Sequence, residues 1–345
     1  MPLALIRLKS PFAPMLGAML VSLATAPGLV AAQSARSDAG SAALLFVSNE
    51  MSRDVSVVRL SDLTVVATIR VGDRPRGIQV SPDRRRVYVA LSDSIPTVQS
   101  PGDAIGVIDV ASRRVVARYA GGTDPEQFAV TPNGAKLYAA NEDAGTASAI
   151  DIRTGKVTET MAVGIEPEGV AVSPDGRWIY VTAETSNTVS VIDVRSDSVV
   201  ASFLVDVRPR AAAFAPNGKR AWVTAEIGGS VSVVDTRTHE VTATISIGEA
   251  AKPVGVVASP DGKRVYVANG GASTVSVIDA GIDRVTATIR VGRRPWGIAI
   301  SRDGSRVFTA NGLTDDVSVI DTRTNAVVGT VMVGKRPWGL TVVER

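Results

Sequence analysis

The chain has no cysteine, a single histidine and few aromatic residues, 4% of its 345 positions. Without cysteine there is no disulfide, no thiol chemistry, no Cys-x-x-Cys-His attachment of haem and no lipid on a cysteine. The one histidine, His239, cannot form an imidazole cluster, and its loop "TRTHE" makes it a surface residue rather than a catalytic base. No Gly-x-Ser-x-Gly elbow occurs, so a hydrolase triad has no support. A core so poor in aromatics must be built from Val, Ile and Ala. The 31 glycines suit many short strands joined by tight turns.

A strong charge of either sign is also missing. The formal net charge is +3, and without Arg7 and Lys9 it falls to 35 basic against 34 acidic groups. That weighs against a nucleic-acid partner. Arg7 and Lys9 precede the apolar stretch Met15–Ala24, and "VAA" ends at Ala32. This order predicts a cleaved secretory leader over residues 1–32, a short linker over 33–43 and a periplasmic or secreted mature chain. Pro14 and Pro27 leave too short a run between them for a comfortable membrane span. An exported chain without cysteine must draw its stability from burial and closure.

What is present, over 44–345, is one phrase repeated seven times. It ends in a strand that reads "FVSN" at Phe46, "YVAL" at Tyr88, "YAAN" at Tyr138, "YVTA" at Tyr180, "WVTA" at Trp222, "YVAN" at Tyr266 and "FTAN" at Phe308. The spacings are 42, 50, 42, 42, 44 and 42 residues, the period of propeller blades. The copy near residue 260 resolves into strand A (Val254–Ser259), B (Arg264–Asn269), C (Thr274–Ala280) and D (Arg284–Gly292), with "PDGK" as the A–B hairpin turn. The first copy, "LLFVSN", lacks a strand A, and the chain ends on "PWGLTVV", a strand A lacking a B. The fold expected is therefore all-β: a seven-bladed β-propeller of four-stranded blades, closed by pairing of the C-terminal strand with the N-terminal blade. Leu91–Gly102 inserts eight residues into one B–C loop, and "GEAAKP" (248–253) adds two at a D–A crossing.

"YVAN", "TVSVID", "TIRVG" and "SPDG", in this order, resemble the YVTN repeat of seven-bladed β-propellers across essentially the whole mature chain. A narrower likeness lies in "FVSNE", "GGTDPEQFAVTPNG", "VGIEPEGVAVSPDG", the stretch Val205–Asp235 and "RPWG". These are similar to exported propellers associated with pyrroloquinoline-quinone-dependent catabolism. The resemblance implies a periplasmic accessory of quinoprotein alcohol oxidation. It implies no catalytic residues, and the Leu91–Gly102 insertion departs from the pattern.

Function in a propeller lies at the channel mouths, where loops converge. Here the D–A crossings and B–C loops share one end. The residues before each crossing proline are Arg74, Asp124, Glu166, Arg208, Lys252, Arg294 and Arg336; those after it are Arg76, Glu126, Glu168, Arg210, Val254, Trp296 and Trp338. A regular repeat places them in two rings. Arg293, Arg294, Trp296, Lys335, Arg336, Trp338, Arg74 and Arg76 form a basic sector with two indoles. Asp124, Glu126, Glu166 and Glu168 form an acidic sector that Glu142 and Glu184 extend. The repeated aspartates of "VID", such as Asp109 and Asp279, are turn formers.

Arginine beside indole favours a planar or anionic small ligand, or an acidic protein partner. The reading is a monomeric, non-catalytic binding protein that carries no cofactor or metal. Its partner would be a quinoprotein dehydrogenase or its cytochrome, and its contact residues Arg74, Arg76, Arg294, Trp296, Arg336 and Trp338 with the mouth carboxylates. The alternatives are a lactonase or metal-dependent hydrolase using Glu126, Glu142, Glu168 and Glu184, and a protein that stacks single-stranded nucleic acid on the indoles.

Overall fold

Six- and seven-residue runs rich in Val, Ile, Thr and Tyr, broken by Asp- and Gly-bearing turns, set the pattern of strands. The structure, a computed structural model, describes residues 43–93 and 102–344. The expected leader, nearly all of the expected linker and the middle of the Leu91–Gly102 insertion lie outside the described residues. Among the described residues the strands form seven four-stranded antiparallel sheets, the blades of an all-β propeller. Among the described residues one short 3-10 turn occurs, Glu249–Ala251, in the crossing that carries the two-residue addition. In the copy near residue 260 the strands are A Pro253–Ala258, B Arg264–Asn269, C Thr274–Asp279 and D Arg284–Arg290.

Blade 1 holds both ends of the propeller, and blades 2 to 7 follow in chain order. Its sheet runs Pro337–Val343, Leu44–Asn49, Asp54–Arg59, Thr64–Arg70. Leu44 lies opposite Val343 and Val47 opposite Leu340. Pairing the last strand with the first leaves no open end to the ring of blades. The B and C strands are buried along nearly their whole length, packed between neighbouring blades, while the D strands form the exposed rim.

Repeated polar residues fasten each blade. Asn49, Asn141, Asn269 and Asn311 end B strands, and each donates its amide to a buried serine of strand C: Ser56, Ser148, Ser276 and Ser318. The "VID" aspartates accept from the backbone of the turn that follows, as Asp109 does from Ser112 N–H at 2.7 Å and Asp151 from Thr154 N–H at 2.7 Å.

The seams between blades are also matched. The aromatic residue of strand B reaches the left-handed residue of the next blade's C–D turn. The Tyr138 hydroxyl donates to Asp197, and Tyr180 bonds His239 Nδ1 at 2.7 Å. Phe308, with no hydroxyl, shares an apolar cluster with Leu63 at the same turn position. His239 is therefore half-buried in a seam, set edge-on to Trp178 at 5.0 Å, and not the surface residue that its loop suggested. Burial, with Arg177 adding, holds its imidazole below the ordinary range.

One turn breaks the repeat in a testable way. Five A–B hairpins place glycine at positive φ, including Gly134 and Gly262, but blade 2 places Arg84 there at φ 58°. The left-handed penalty on a side chain exceeds the backbone entropy that glycine loses, so Arg84→Gly is expected to stabilise by about 0.5–1 kcal/mol. A urea midpoint that shifts upward at unchanged m-value is the check.

Candidate functional site: a charged mouth with an indole corner

The mouth is built by the crossings. All seven residues before the crossing prolines have positive φ, from 38° at Arg74 to 62° at Arg208. This turn aims their carbonyls at the ends of the B strands. Arg336 O accepts from Glu50 N–H at 3.0 Å, Glu166 O from Glu184 N–H at 2.9 Å and Arg208 O from Glu226 N–H at 2.8 Å. The B–C turns and the D–A crossings thus meet at one end. In six blades strand A begins at the crossing proline; in blade 2 it begins at Ile78, three residues later.

Just below, neighbouring A strands come so close that a side chain does not fit. A Cβ on Gly77, Gly255, Gly297 or Gly339 would lie 2.5–2.7 Å from a carbonyl oxygen of the next blade. These glycines narrow the ring and crowd the residues above it towards the axis. The channel below encloses a cavity of about 350 Å³, bordered by Ile78, Gln79, Phe128, Val256, Ile298 and Leu340.

The structure corrects the division into basic and acidic sectors: the charges interleave and pair. Arg76 contacts Glu126 and bonds Glu50 Oε1 at 3.1 Å, with Glu142 at 3.9 Å. Arg74 lies 3.4 Å from Asp124 and 3.8 Å from Glu126. Across the mouth, Arg210 contacts Glu168 and Glu184 and lies 3.7 Å from Glu226. Arg208 forms ion pairs with Glu184 at 2.8 Å and Glu226 at 3.3 Å. Arg336 is 3.7 Å from Glu50, and Arg294 is 3.4 Å from Glu226.

Glu126, Glu168, Glu184 and Arg210 are buried, at 0, 3, 5 and 6% exposure. They present little charge to solvent. Glu50, Glu226, Arg208 and Arg210 are members of this network that the sequence reading did not single out as site residues. Their repeat positions were the available signal. Glu50 and Glu226 follow strand B as Glu142 and Glu184 do, and Arg208 and Arg210 flank a crossing proline.

Burial pushes the Glu168 carboxyl well above the usual range. Arg210 opposes this, and Glu184 beside it adds to the rise. Glu142 is raised as well, by burial and by Asp124. For Arg210, burial works against the charge, but Glu168, Glu184 and Glu226 outweigh it and hold the guanidinium protonated.

A carboxyl raised in the folded state binds a proton that the unfolded chain has already released. Its contribution is therefore lost as pH rises from the unfolded value of about 4.5 towards the folded one. Glu168→Gln is expected to flatten that loss. Melting temperatures from pH 5 to pH 8 should fall less in the variant than in the parent, and parallel curves would contradict the assignment.

The indoles occupy one corner. Trp296 of blade 7 stacks on Trp338 of blade 1 with ring centres 6.3 Å apart and planes at 16°. The Arg294 guanidinium lies over the Trp296 ring at 4.2 Å, and Arg210 reaches it at 5.2 Å from two blades away. Blade 7 carries Gly312 where blades 1, 3, 4 and 5 carry Glu. A Cβ there would meet Trp296 Cδ1 at 2.9 Å, so the missing carboxylate makes room for the indole.

Trp296 is half-buried and offers surface, whereas Trp338 is buried and serves as its platform. Around them the B–C turns expose Leu313 at 52% and Met51 at 64%, beside exposed Arg293 and Lys335.

The four carboxylates expected to act together do not form one set. Glu168 and Glu184 share Arg210, while Glu126 and Glu142 lie with Asp124 near Arg74 and Arg76. Asp124, Glu126 and Glu142 bring one oxygen each within 4.8 Å of one another, a spacing open to a cation. Their guanidinium neighbours already supply positive charge there. His239 lies at the opposite end, where the C–D turns gather. Among the described residues no helix is long and apolar enough to cross a membrane.

Comparison with known proteins matches this architecture. The chain is similar to a hydrazine synthase structure from Kuenenia stuttgartiensis, at 22% identity and a TM-score of 0.73, over 81% of this chain and 92% of that one. It is similar to a functionally unknown protein from Desulfotomaculum acetoxidans, at 20% identity and a TM-score of 0.75, over 87% and 99%. A Bacteroides fragilis protein named as a "putative 6-phosphogluconolactonase" gives 16% identity and a TM-score of 0.75, over 88% and 99%. Identities this low show the fold alone. No curated protein matches. Residues 206–329 match the family model "Lactonase, 7-bladed beta-propeller". Residues 18–203, more than half of the sequence, match the model of the choice-of-anchor I domain, and the chain belongs to that family.

Proposed function

We propose that this protein is an exported, non-catalytic binding propeller, and that its contact surface is the mouth corner of blades 7 and 1. The observation that carries the reading is Trp296. Its indole is held rigid between Trp338 and Arg294, yet keeps part of its surface in the mouth. The remaining mouth charges largely satisfy one another. Arg293, Lys335 and Arg336 are exposed on the same two crossings, Lys335 paired with Asp315 at 2.9 Å, and Leu313 and Met51 add apolar area. Such a patch suits an acidic protein surface with an apolar or planar anchor. The partner class implied by the sequence resemblance is a periplasmic quinoprotein dehydrogenase or its cytochrome.

The test is capture from periplasmic extract with the immobilised protein. Trp296→Ala and Arg294→Ala should each weaken capture roughly tenfold or more, as loss of an anchoring residue does. Equal capture by both variants would overturn the reading.

A second reading is favoured by the match of residues 206–329 to the lactonase model and by the Asp124, Glu126 and Glu142 cluster. It is a propeller hydrolase with a cation on those carboxylates. Lactone hydrolysis that is abolished by chelator and restored by Ca²⁺ or Zn²⁺ would establish it and displace the first.

A further inference from the structure

The wall of the central channel departs from the repeat on opposite sides. Two residues after the crossing proline, five blades carry glycine and blade 5 carries Ala211, but blade 3 carries Gln127. Two places further on, where four blades carry alanine, blade 2 carries Gln79. The place between them holds Leu340, Ile78, Phe128, Val170, Val256 and Ile298 in six blades, and only Ala212 in blade 5. The A strands follow one another around the ring in chain order, so blade 5 lies across from blade 2. The two glutamines therefore stand on one wall, and the space that Ala212 leaves lies on the other.

Gln79, Gln127 and Ala212 all line the channel cavity of about 350 Å³, together with Val256 and Ile298. Solvent reaches each of these five residues, none of which is fully buried. Gln79 Oε1 accepts from Val130 N–H at 2.8 Å, which fixes that side chain and leaves its N–H₂ for another acceptor. Among the described residues the Gln127 amide has no hydrogen-bond partner. None of the residues lining the cavity is charged.

Two amides with free donors thus face a hollowed apolar wall across a solvent-accessible channel. We propose that this channel binds an uncharged, largely apolar molecule that carries a carbonyl group. The Gln79 and Gln127 N–H₂ groups donate to its oxygen, and its apolar body lies against Ala212, Val256 and Ile298. A charged ligand would give up its hydration with no counter-ion on the wall, which disfavours it strongly. Apolar burial supplies most of the affinity, and the two amides set the orientation. The volume sits at the low end of ligand pockets, which run from about 300 to 1,000 Å³, and suits a molecule of two fused rings. The site lies below the mouth charges and does not depend on the partner surface proposed at the corner.

The probe is 6-propionyl-2-(dimethylamino)naphthalene, a neutral ketone whose fluorescence moves to shorter wavelength when it leaves water. Its charged counterpart is 6-(dimethylamino)-2-naphthoate, the same ring system with a carboxylate in place of the ketone. Titrated with the full chain, the ketone should give a saturable blue shift at one molecule per chain. The naphthoate, followed by its competition with the ketone, should bind roughly tenfold more weakly or worse. Ala212→Ile restores the residue that blades 2 and 7 carry. It should keep the melting temperature and lower the affinity for the ketone roughly tenfold or more. Gln127→Ala, which copies blade 5, removes one donor and should weaken binding about three- to tenfold. No saturable shift with the ketone would overturn the proposal. So would a naphthoate that binds as tightly as the ketone, or an affinity unchanged in Ala212→Ile or in Gln127→Ala.

Discussion

Ending the chain after Val333, which removes the last strand, is expected to leave no folded monomer. Pro337–Val343 is the innermost strand of blade 1, paired along Leu44–Asn49. Its loss takes away Trp338, Leu340 and Val343, all buried in the full chain. At about 1.5–3 kcal/mol for each large apolar side chain, the loss is about 5–9 kcal/mol, comparable with the entire stability of a typical domain. It also opens the edge of Leu44–Asn49, which invites pairing between molecules. Circular dichroism and gel filtration should show aggregate or unfolded chain. A truncated monomer with an unchanged melting temperature would mean that closure is not what holds the ring.

The second large effect is at Arg210. Arg210→Met keeps the length of the side chain and removes its charge. Glu168 is left buried without its cation, and Glu184 and Glu226 retain only Arg208 and Arg294. Breaking a buried pair from one side costs about 3–5 kcal/mol. The cost should be smallest near pH 5, where Glu168 can take up a proton, and grow towards pH 8. Adding Glu168→Gln should recover part of it, because the orphaned charge goes with the carboxylate. A single variant as stable as the parent at pH 8 would show that the mouth network is solvated and loose.

The fold was legible because a propeller is written locally. Period, hairpin turns and the seven crossings all lie within about forty residues of one another, and strand B of the sixth copy, Arg264–Asn269, was read to the residue. Strand ends were less legible: strand C stops at Asp279 because that carboxylate turns back to cap the C–D loop. The two rings also followed from the repeat.

Which ring residues touch did not follow. Arg210 reaches Glu168 and Glu184 in blade 4 and Trp296 in blade 7, and these partners are set by side-chain reach over the axis. For the same reason the expected basic and acidic sectors proved to be one interleaved network, and Trp338 proved to be a buried support rather than a contact. Seam partners such as Tyr180 and His239 lie 59 residues apart in the chain and become visible only when blades are stacked side by side.

The most direct measurement uses a photo-crosslinking residue placed singly at two exposed positions. One is Leu313, on the mouth corner beside Trp296; the other is Ile282, 62% exposed on a C–D turn at the opposite end. Irradiated in periplasmic extract, the Leu313 derivative should join one discrete acidic partner, and should lose it when Trp296→Ala is added. The Ile282 derivative should give no such product. Equal products from both positions, or a Leu313 product indifferent to Trp296→Ala, would contradict the assignment of the mouth corner as the binding surface.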